Sequence, residues 1–449
     1  MALCPVHGSR RVAATVTSVA VEPGQTDARL RMLDPAVVLN VARAALTDGT
    51  DATRVVGAVV LRWEPLGASL GIATSRLLRV RGTASVQATG GMLRASEWSA
   101  VLKVVRPPHG TRHEAAAREP RHWAYWKREP LAYGSGLLAG LSDLPGGGLA
   151  PPRCLLVDGL AATADSGRNN GTDNTRVTGD SPGTKEDSDG AVWLWLEDVA
   201  DRYAGWWPRE RTLLASRHLG AFGRAFLARL PEVPWLGHGY LRQRVERAMD
   251  RLPLFEDEAT WRHERLRDHF DPAMGEPLRA VWARRYDLLD VLDALPRTLC
   301  HGDSHRDNLI AAGVKGERER TVAVDWGTAG AGPVGADLAE LALSRTIGGE
   351  LLAVGGADFC ERLFESYTKG LCDDGRMEGG GSAPVNAARV GFAATVALAG
   401  TSRLHWNLER AVGAGANADQ EIWSDTDEVL RRWGALTRMF LDLAESVLG

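Results

Sequence analysis

Residues 301–308, which read HGDSHRDN, are the part of the chain whose side chains are best suited to chemistry. Phosphoryl transfer needs a carboxylate near the acceptor hydroxyl, oxygen ligands for a metal ion on the phosphates, and a cation that binds the nucleotide. Asp303 can accept the proton of such a hydroxyl. Asn308 can offer an amide oxygen to Mg²⁺, a cation that prefers oxygen ligands. One short segment can therefore supply two of the required groups.

A second metal carboxylate is predicted at Asp325, directly after the apolar run 321–324. Residues 308–312 and 321–324 have the pattern of two strands separated by a polar turn, which indicates a hairpin. Antiparallel pairing would bring Asn308 and Asp325 to the same end of that hairpin. The spacing therefore predicts that these two residues share a metal ion.

These positions resemble the signature of the aminoglycoside phosphotransferase/choline kinase-like family. The matching residues are His301-Gly302-Asp303 with Asn308, then Asp325-Trp326-Gly327, and then GADLA at 335–339. The resemblance implies an α+β, two-lobed protein-kinase-like fold. It implies transfer of the γ-phosphate of ATP, or alternatively of GTP, to a hydroxyl of a small molecule. It makes Asp303 the catalytic base, and Asn308 and Asp325 the ligands of Mg²⁺.

Lys103 lies within the apolar run 101–105, where a charge is costly unless it meets an anion. The resemblance makes Lys103 the lysine that binds the nucleotide phosphates. A lysine on a sheet edge that reaches solvent is the alternative. Glu129 is its predicted helical partner, with Glu114 and Glu119 as rivals.

A glycine-containing loop at 67–71 is predicted to approach the phosphates through its backbone N–H groups. The positions assigned to this contact are Gly67, Ser69 and Gly71. The loop departs from a GxGxxG pattern, and an ordinary turn explains it equally well.

The segment 194–198 resembles the linker that joins the two lobes in this family. The resemblance implies that the backbone at Glu197 hydrogen-bonds the adenine. It also implies that Leu196 packs close to the base.

His301, Asp303, His305 and Asp307 alternate along the chain, which raises a metal-dependent hydrolase as another hypothesis. In a strand all four would share one face, but no second metal-binding segment accompanies them. We therefore expect His301 to hold the loop by a backbone hydrogen bond, and Asp307 to pair with a neighbour such as Arg306. A third hypothesis is a nucleotide-binding pseudokinase that acts as an interaction module. The presence of the full set of expected catalytic residues argues against it.

The composition is that of a globular protein, with 449 residues, 44% hydrophobic and 24% charged. A formal net charge of -4 gives no reason to expect nucleic acid or an anionic membrane as partner. The 5 cysteines are scattered and lack CxxC spacing, which favours a reducing cytoplasm over a disulfide framework or a zinc site. No apolar run approaches the roughly 20 residues that a membrane helix needs. Nothing in the sequence indicates the oligomeric state.

The order of strand-like and helix-like segments predicts two lobes. We assign nucleotide clamping to residues 1–197, and catalysis and acceptor binding to residues 198–449. Strands are predicted at 55–63, 76–80, 99–105, 155–157 and 192–196; helices are predicted at 35–48, 123–141, 208–230 and over most of the chain after 337. The polar stretch 161–190 lacks the apolar residues that offset ordering entropy, so we expect a mobile surface insertion.

The acceptor cannot be named from the sequence. Trp282, Trp406, Trp423 and His405 are candidates for the pocket wall, although core packing explains them better. An aminoglycoside would demand clustered carboxylates, and the acidic stretch 419–428 offers some, but a solvated helix face explains that stretch equally well. An antibiotic, a sugar and an amino alcohol therefore all stay open as acceptors.

Overall fold

The structure of the protein is a computed structural model. It describes residues 33–47, 54–66, 71–87, 91–111, 113–144, 148–160, 190–203, 207–227, 229–249, 252–313, 319–344, 356–372, 382–412 and 426–449. The predicted insertion falls, except for Gly190, outside the described residues. Gly67, Ser69 and Trp423 also fall outside them, as does the side chain of Trp406.

Helix α1 (Pro35–Leu46) begins where the sequence predicts. The side chain of Asp34 accepts a hydrogen bond from Ala36 N at 2.8 Å, and a proline occupies the first helical position. Val38 on the inner face is buried in a core that α1 shares with the neighbouring sheet. Asp34 and Pro35 therefore begin the helix as the sequence predicts.

A five-stranded antiparallel sheet forms the N-terminal region, in the order β1-β2-β3-β6-β5. Its strands are β1 (Arg54–Pro65), β2 (Thr74–Gln87), β3 (Leu93–Val105), β5 (Cys154–Asp158) and β6 (Val192–Glu197); β4 (Leu149–Ala150) belongs to another sheet. Strand β2 runs beyond its predicted end at residue 80. It does so across Gly82, where an added Cβ would lie 2.7 Å from the Trp98 ring. Glycine therefore lets the long strand pass close to this tryptophan rather than ending it.

The helix predicted over 123–141 is mostly absent, because α2 spans only Arg128–Gly134. The carbonyl oxygens of His122 and Trp123 accept hydrogen bonds from the Arg128 guanidinium at 2.7 and 2.8 Å. These carbonyls therefore serve a buried side chain instead of a helical ladder. Pro130 lies in the first turn of α2, where its missing N–H removes no intrahelical bond.

The C-terminal region is mainly helical. Its helices are α3 (Arg209–Leu227), α4 (Tyr240–Ala248), α5 (Leu252–Glu256), α6 (Glu258–Trp261), α7 (Glu264–Arg267), α8 (Gly275–Ala283), α9 (Arg285–Asp293), α10 (Ala336–Ala342), α11 (Gly356–Cys372), α12 (Ser382–Ala411) and α13 (Thr426–Leu448). The predicted α+β class, with a β-rich N-terminal region and a helical C-terminal region, is confirmed. The boundary between residues 197 and 198 stays a prediction. None of the helices in the described part of the chain is both long and apolar enough to span a bilayer.

Short strands flank the segment 301–308 and form the hairpin that leads to Asp325. They are β7 (Gly237–His238), β8 (Arg297–Cys300), β9 (Leu309–Ala312), β10 (Arg320–Ala323) and β11 (Gly330–Pro333). The predicted hairpin is present as β9 and β10, with Ala323 opposite Leu309. A second antiparallel pair, β8 with β11, places Gly330 opposite Cys300 and was not predicted. The loop between β8 and β9 and the loop between β10 and β11 are therefore each held at both ends.

Helix α3 supports this hairpin through a buried histidine. Thr321 Oγ1 accepts from Arg211 Nη2 at 2.8 Å and lies 2.9 Å from His218 Nδ1. The Thr321 hydroxyl therefore contacts both Arg211 and His218. Burial, with the charges of Arg211 and Arg217, lowers the pKa of His218 to about 3.

This histidine should make the fold sensitive to acid. Above pH 6.5, its ordinary pKa, His218 is neutral in both states and its contribution is complete. Between pH 6.5 and about 3 only the unfolded chain binds the proton, so the free energy of unfolding should fall by at most about 1.4 kcal/mol per pH unit. Urea unfolding at a series of pH values should show this slope in the native chain. His218→Gln should have a shallower slope than the native chain, because only the carboxylates then titrate with a changed pKa, and the surface control His109→Gln should keep the native slope; equal slopes in all three would contradict the assignment.

Candidate active site

The loop between β8 and β9 contains the predicted base, and the carboxylate of Asp337 fixes its backbone. His301 N donates to Asp337 Oδ2 at 2.8 Å, and Gly302 N donates to Oδ1 at 2.9 Å. Ser304 Oγ donates to the carbonyl oxygen of Asp337 at 2.7 Å. Gly302 has φ +81, and a Cβ there would lie 2.6 Å from Thr328 O, so only glycine fits this turn. The sequence assigned Asp337 to the motif but gave it no task.

His301 joins this loop to the loop after β10. Its Nδ1 accepts from Asp303 N at 3.3 Å, so the ring proton lies on Nε2, which donates to Val324 O at 2.9 Å. Burial favours the neutral ring and lowers the pKa of His301. The predicted backbone hydrogen bond is confirmed. Both ring nitrogens are used within the protein, which speaks against a metal site built from the alternating His and Asp residues.

Asp303 is held by two neighbours on the same loop. Asn308 Nδ2 donates to Asp303 O at 2.9 Å and to Oδ2 at 3.2 Å. His305 Nε2 lies 3.5 Å from Asp303 Oδ2. Burial opposes ionisation, but the hydrogen bond and charge of His305 outweigh it and lower the pKa of Asp303. Asp303 is therefore an ionised acceptor whose side chain is 29% exposed.

Two expectations about this loop need correction. Arg306 does not pair with Asp307, because its buried guanidinium donates to Asp201 Oδ2 at 2.7 Å and to Leu309 O at 3.0 Å. The carboxylate of Asp307 lies instead 3.9 Å from His305 Nδ1. The sequence analysis assigns no role to His305, yet its Nε2 lies 3.5 Å from Oδ2 of the predicted base. Its two-residue spacing from Asp303 was the only signal in the sequence.

Asp325 has φ 63, and it is the only non-glycine among the described residues with a positive φ. A left-handed aspartate costs on the order of 1–3 kcal/mol and persists only where its surroundings fix it. Here Lys103 Nζ lies 2.8 Å from Asp325 Oδ1 and 2.6 Å from Glu129 Oε2. Glu129 Oε1 also accepts from Trp326 N at 3.3 Å. The structure thus brings together Lys103, Asp325 and the predicted glutamate.

The electrostatics of this group follow from its burial. Lys103 is 6% exposed, and burial alone would lower its pKa, but Asp325 and Glu129 reverse the effect and raise it. Lys103 in turn lowers the pKa of Asp325. The lysine is therefore a permanently charged group, and the prediction of a solvent-reaching edge lysine does not apply.

Asn308 and Asp325, the two predicted metal ligands, lie at the same end of the hairpin. Val324 N donates to Asn308 O at 2.9 Å. Asp325 directly follows Val324, so Asp325 lies next to the residue that pairs with Asn308. Asn308 Oδ1 takes no part in the bonds that its amide nitrogen makes to Asp303, and an amide and a carboxylate oxygen suit Mg²⁺. In the described ranges no group of three or more His, Cys, Asp or Glu side chains could hold a metal ion.

The predicted adenine contacts lie at the end of β6. Leu196 is buried, and Glu197 N donates to Arg153 O at 2.9 Å. A hydrogen bond from the adenine would therefore have to use the carbonyl of Glu197 rather than its N–H. Gly71 is exposed in a turn, where its carbonyl accepts from Thr74 N at 3.1 Å.

The candidate acceptor residues that can be placed belong to the core. Trp282 and His405 are buried, and their ring centroids are 4.8 Å apart. Phe255 stacks on His405 at 4.4 Å. From the acidic stretch 419–428, the carboxylate of Asp427 lies on the surface, 3.8 Å from the Arg265 side chain.

Arg128 is a site residue that the sequence analysis missed. Its fully buried guanidinium donates to five backbone carbonyls at 2.7–3.0 Å, those of Pro120, His122, Trp123, Trp235 and Gly327. Burial without a carboxylate partner lowers its pKa to about 10. Arg128 precedes Glu129 in α2 and binds Gly327 in the loop of Asp325. It therefore fixes both partners of Lys103 from one position, and no local sequence signal identifies such long-range contacts.

Comparison with known proteins bears on the family that the sequence motifs resemble. Residues 181–370 match the model of the phosphotransferase enzyme family. The match confirms the resemblance predicted from the residues around Asp303 and Asp325. No curated protein matches the sequence.

Several solved structures are similar to this chain. The three described here have TM-scores below 0.5. A microcompartment-associated aminopropanol kinase is 15% identical, with a TM-score of 0.43 over 85% of this chain and 93% of that chain. An aminoglycoside phosphotransferase from Alicyclobacillus acidocaldarius is 12% identical, with a TM-score of 0.42 over 86% and 93%. An ethanolamine kinase from Plasmodium vivax is 10% identical, with a TM-score of 0.40 over 88% and 84%. Likenesses at this level do not define the acceptor.

The buried ion group should be essential to the fold around it. Lys103→Met leaves two close carboxylates without a cation, so the free energy of unfolding should fall by about 3–5 kcal/mol. Adding Glu129→Gln to Lys103→Met removes one of these charges and should restore part of the loss. Chemical denaturation of the single and double variants measures both effects.

A lysine-to-methionine change at the exposed Lys369 is the matched control and should shift stability by less than about 0.5 kcal/mol. Equal losses for Lys103→Met and Lys369→Met would show that the ion group does not stabilise the fold.

Proposed function

We propose that this protein is a small-molecule kinase that moves the γ-phosphate of ATP, with GTP as an alternative donor, to a hydroxyl of a small molecule. One observation carries the proposal. The ammonium of Lys103 reaches Asp325, while the neighbouring Val324 binds the backbone of Asn308, whose side chain holds Asp303. A cation, two candidate metal ligands and a candidate base therefore converge from strands β3, β9 and β10 and the adjoining loops.

Each residue has a distinct task in this proposal. The acceptor hydroxyl donates a hydrogen bond to the ionised Asp303, which orients the oxygen and finally takes its proton. The bond between that oxygen and the γ-phosphorus forms as the bond to the β-phosphate bridging oxygen breaks, and ADP leaves. Mg²⁺ would be held by Asn308 and Asp325, and it supplies neutralisation of the phosphate charge. Lys103 would bind the nucleotide phosphates, with Glu129 fixing its position.

The low pKa of Asp303 suits this role. A strongly basic carboxylate is unnecessary because the proton leaves late when bonding to phosphorus is loose. The contacts of Asn308 and His305 with Asp303 keep the carboxylate ionised and oriented. Positioning of the hydroxyl is therefore the main contribution that we assign to Asp303.

The pseudokinase hypothesis has less support. A protein that only binds nucleotide has no need for an ionised aspartate fixed by two side-chain contacts. It also has no need for a left-handed aspartate beside the buried lysine. These costly features are expected where chemistry is carried out.

A screen for the product tests the proposal. The protein would be incubated with ATP and Mg²⁺ and with extracts or pools of hydroxyl compounds, and mass spectrometry would seek an acceptor heavier by one phosphoryl group. Asp303→Asn should lower kcat for the confirmed acceptor by at least about 100-fold, since it removes the proton acceptor. Asp307→Asn is the matched control on the same loop and should keep most of the activity. Unchanged turnover in Asp303→Asn would disprove the assignment of the base.

A further inference from the structure

The five-stranded sheet has two faces, and one of them carries Lys103. Successive residues of a strand point to opposite faces, and the neighbours Leu102 and Val104 are buried in the core that α1 shares with the sheet. On the face of Lys103, the next residue in one direction is Val105, which is 2% exposed and belongs to the other, larger core. In the other direction it is Val101, which is only partly buried. The face beside the lysine is therefore filled toward Val105 and more open toward Val101.

The pairing of the strands places Arg79 in one row with Val101 and Leu196. Val101 lies opposite Arg79 of β2 and opposite Leu196 of β6. Residues directly opposite each other in antiparallel strands share a face of the sheet. In agreement, the two residues on either side of Arg79 are buried in the core on the α1 face. The side chain of Arg79 therefore projects from the same face as Lys103, one row farther along the sheet.

Two carboxylates hold the guanidinium group of Arg79. Its Nε donates to Asp198 Oδ1 at 3.0 Å, and its Nη1 donates to Glu64 Oε1 at 3.2 Å. Glu64 lies on β1, whereas Asp198 directly follows β6. The side chain of Arg79 is 28% exposed, so a ligand on this face can reach it. The two ion pairs therefore fix a planar cation between β1 and the segment after β6.

A nucleotide whose phosphates meet Lys103 would extend along this face of the sheet. Its base would lie toward Val101, because the buried Val105 fills the other direction. Val101 and Leu196 offer an apolar surface to a purine ring, and Arg79 borders that surface. A guanidinium group can stack on an aromatic ring or donate hydrogen bonds to its ring nitrogens. Arg79 is therefore placed to contact the base.

We propose that Arg79 contacts the purine base of the nucleotide, and that Glu64 and Asp198 hold its guanidinium group for this contact. The inference rests on the proposed kinase function, which assigns the phosphates to Lys103. It agrees with the expected contact between the base and Glu197, since Asp198 is the next residue. Arg79 therefore determines the affinity for the base rather than for the phosphates.

Nucleotide binding without turnover tests the role of Arg79. Isothermal titration calorimetry with Mg²⁺ would give the Kd of a non-hydrolysable ATP analogue, of the corresponding GTP analogue and of inorganic tripolyphosphate, which has no base. Arg79→Gln should raise the Kd of the analogue relative to that of tripolyphosphate by about threefold to tenfold. Arg81→Gln is the matched control, because it removes the same charge from the same strand and face, where Arg81 lies 3.3 Å from Glu64. Arg81 lies opposite Ser99, one row farther from Lys103, so Arg81→Gln should leave this ratio unchanged.

The ratio of the two dissociation constants distinguishes the outcomes. A higher ratio in Arg79→Gln alone supports the base contact. An unchanged ratio overturns the inference and leaves the kinase proposal intact, as does an equal rise in Arg81→Gln. If tripolyphosphate binds too weakly to measure, the Kd of the analogue in Arg79→Gln is compared with that in Arg81→Gln by the same criterion. Absence of binding of both analogues to the native chain would contradict the proposed function itself, and this inference with it.

Arg79→Lys separates the base contact from the ion pairs. Lysine keeps a positive charge between Glu64 and Asp198 but has no planar group that can stack on a ring. The ratio should therefore rise in Arg79→Lys as well, while its Tm stays close to that of the native chain. If Arg79→Gln fails to fold, Arg79→Lys provides the test, and a native ratio in it overturns the inference. A role confined to joining β2 to the segment after β6 would lower the Tm of Arg79→Gln and leave the ratio at its native value in both variants.

Discussion

The ammonium group of Lys103 is the charge around which the site is organised. It is buried between two carboxylates that come from distant parts of the chain, at 2.6 Å from Glu129 and 2.8 Å from Asp325. A buried lysine is stable only while those partners stay in place. The positions of α2 and of the loop after β10 are therefore tied to strand β3. The left-handed backbone of Asp325 is one consequence of this constraint.

Backbone contacts supply the remaining rigidity. The paired strands hold the two functional loops at both ends, and Asp337 and Arg128 each fix one of these loops. Asp337 accepts from N–H groups of the loop of Asp303, whereas Arg128 donates to carbonyls that include Gly327 in the loop of Asp325. In the proposed reaction, such fixed geometry would let a few polar groups align a hydroxyl without reorganising.

Much of this arrangement could be predicted because local pattern and motif agree. The apolar strands, the start of α1, the β9–β10 hairpin and the convergence of Asn308 with Asp325 all follow from alternation, capping and turn signals. The contacts that could not be predicted join residues far apart in sequence. Arg128 binds the carbonyl of His122, a residue next to the predicted helix 123–141. Arg306 pairs with Asp201 instead of the adjacent Asp307. Periodicity describes which face is apolar, but not which distant group a buried guanidinium meets.

Metal binding tests most directly whether Asp325 and Asn308 form one site with Lys103, as we propose. Binding of Mn²⁺, as a spectroscopic substitute for Mg²⁺, can be followed by electron paramagnetic resonance with and without a non-hydrolysable ATP analogue. We expect Mn²⁺ binding to depend on the nucleotide, and we expect Asp325→Asn to weaken this binding by about tenfold or more. Asp307→Asn should bind Mn²⁺ as the native chain does. Equal Mn²⁺ affinity in Asp325→Asn and the native chain would contradict the account.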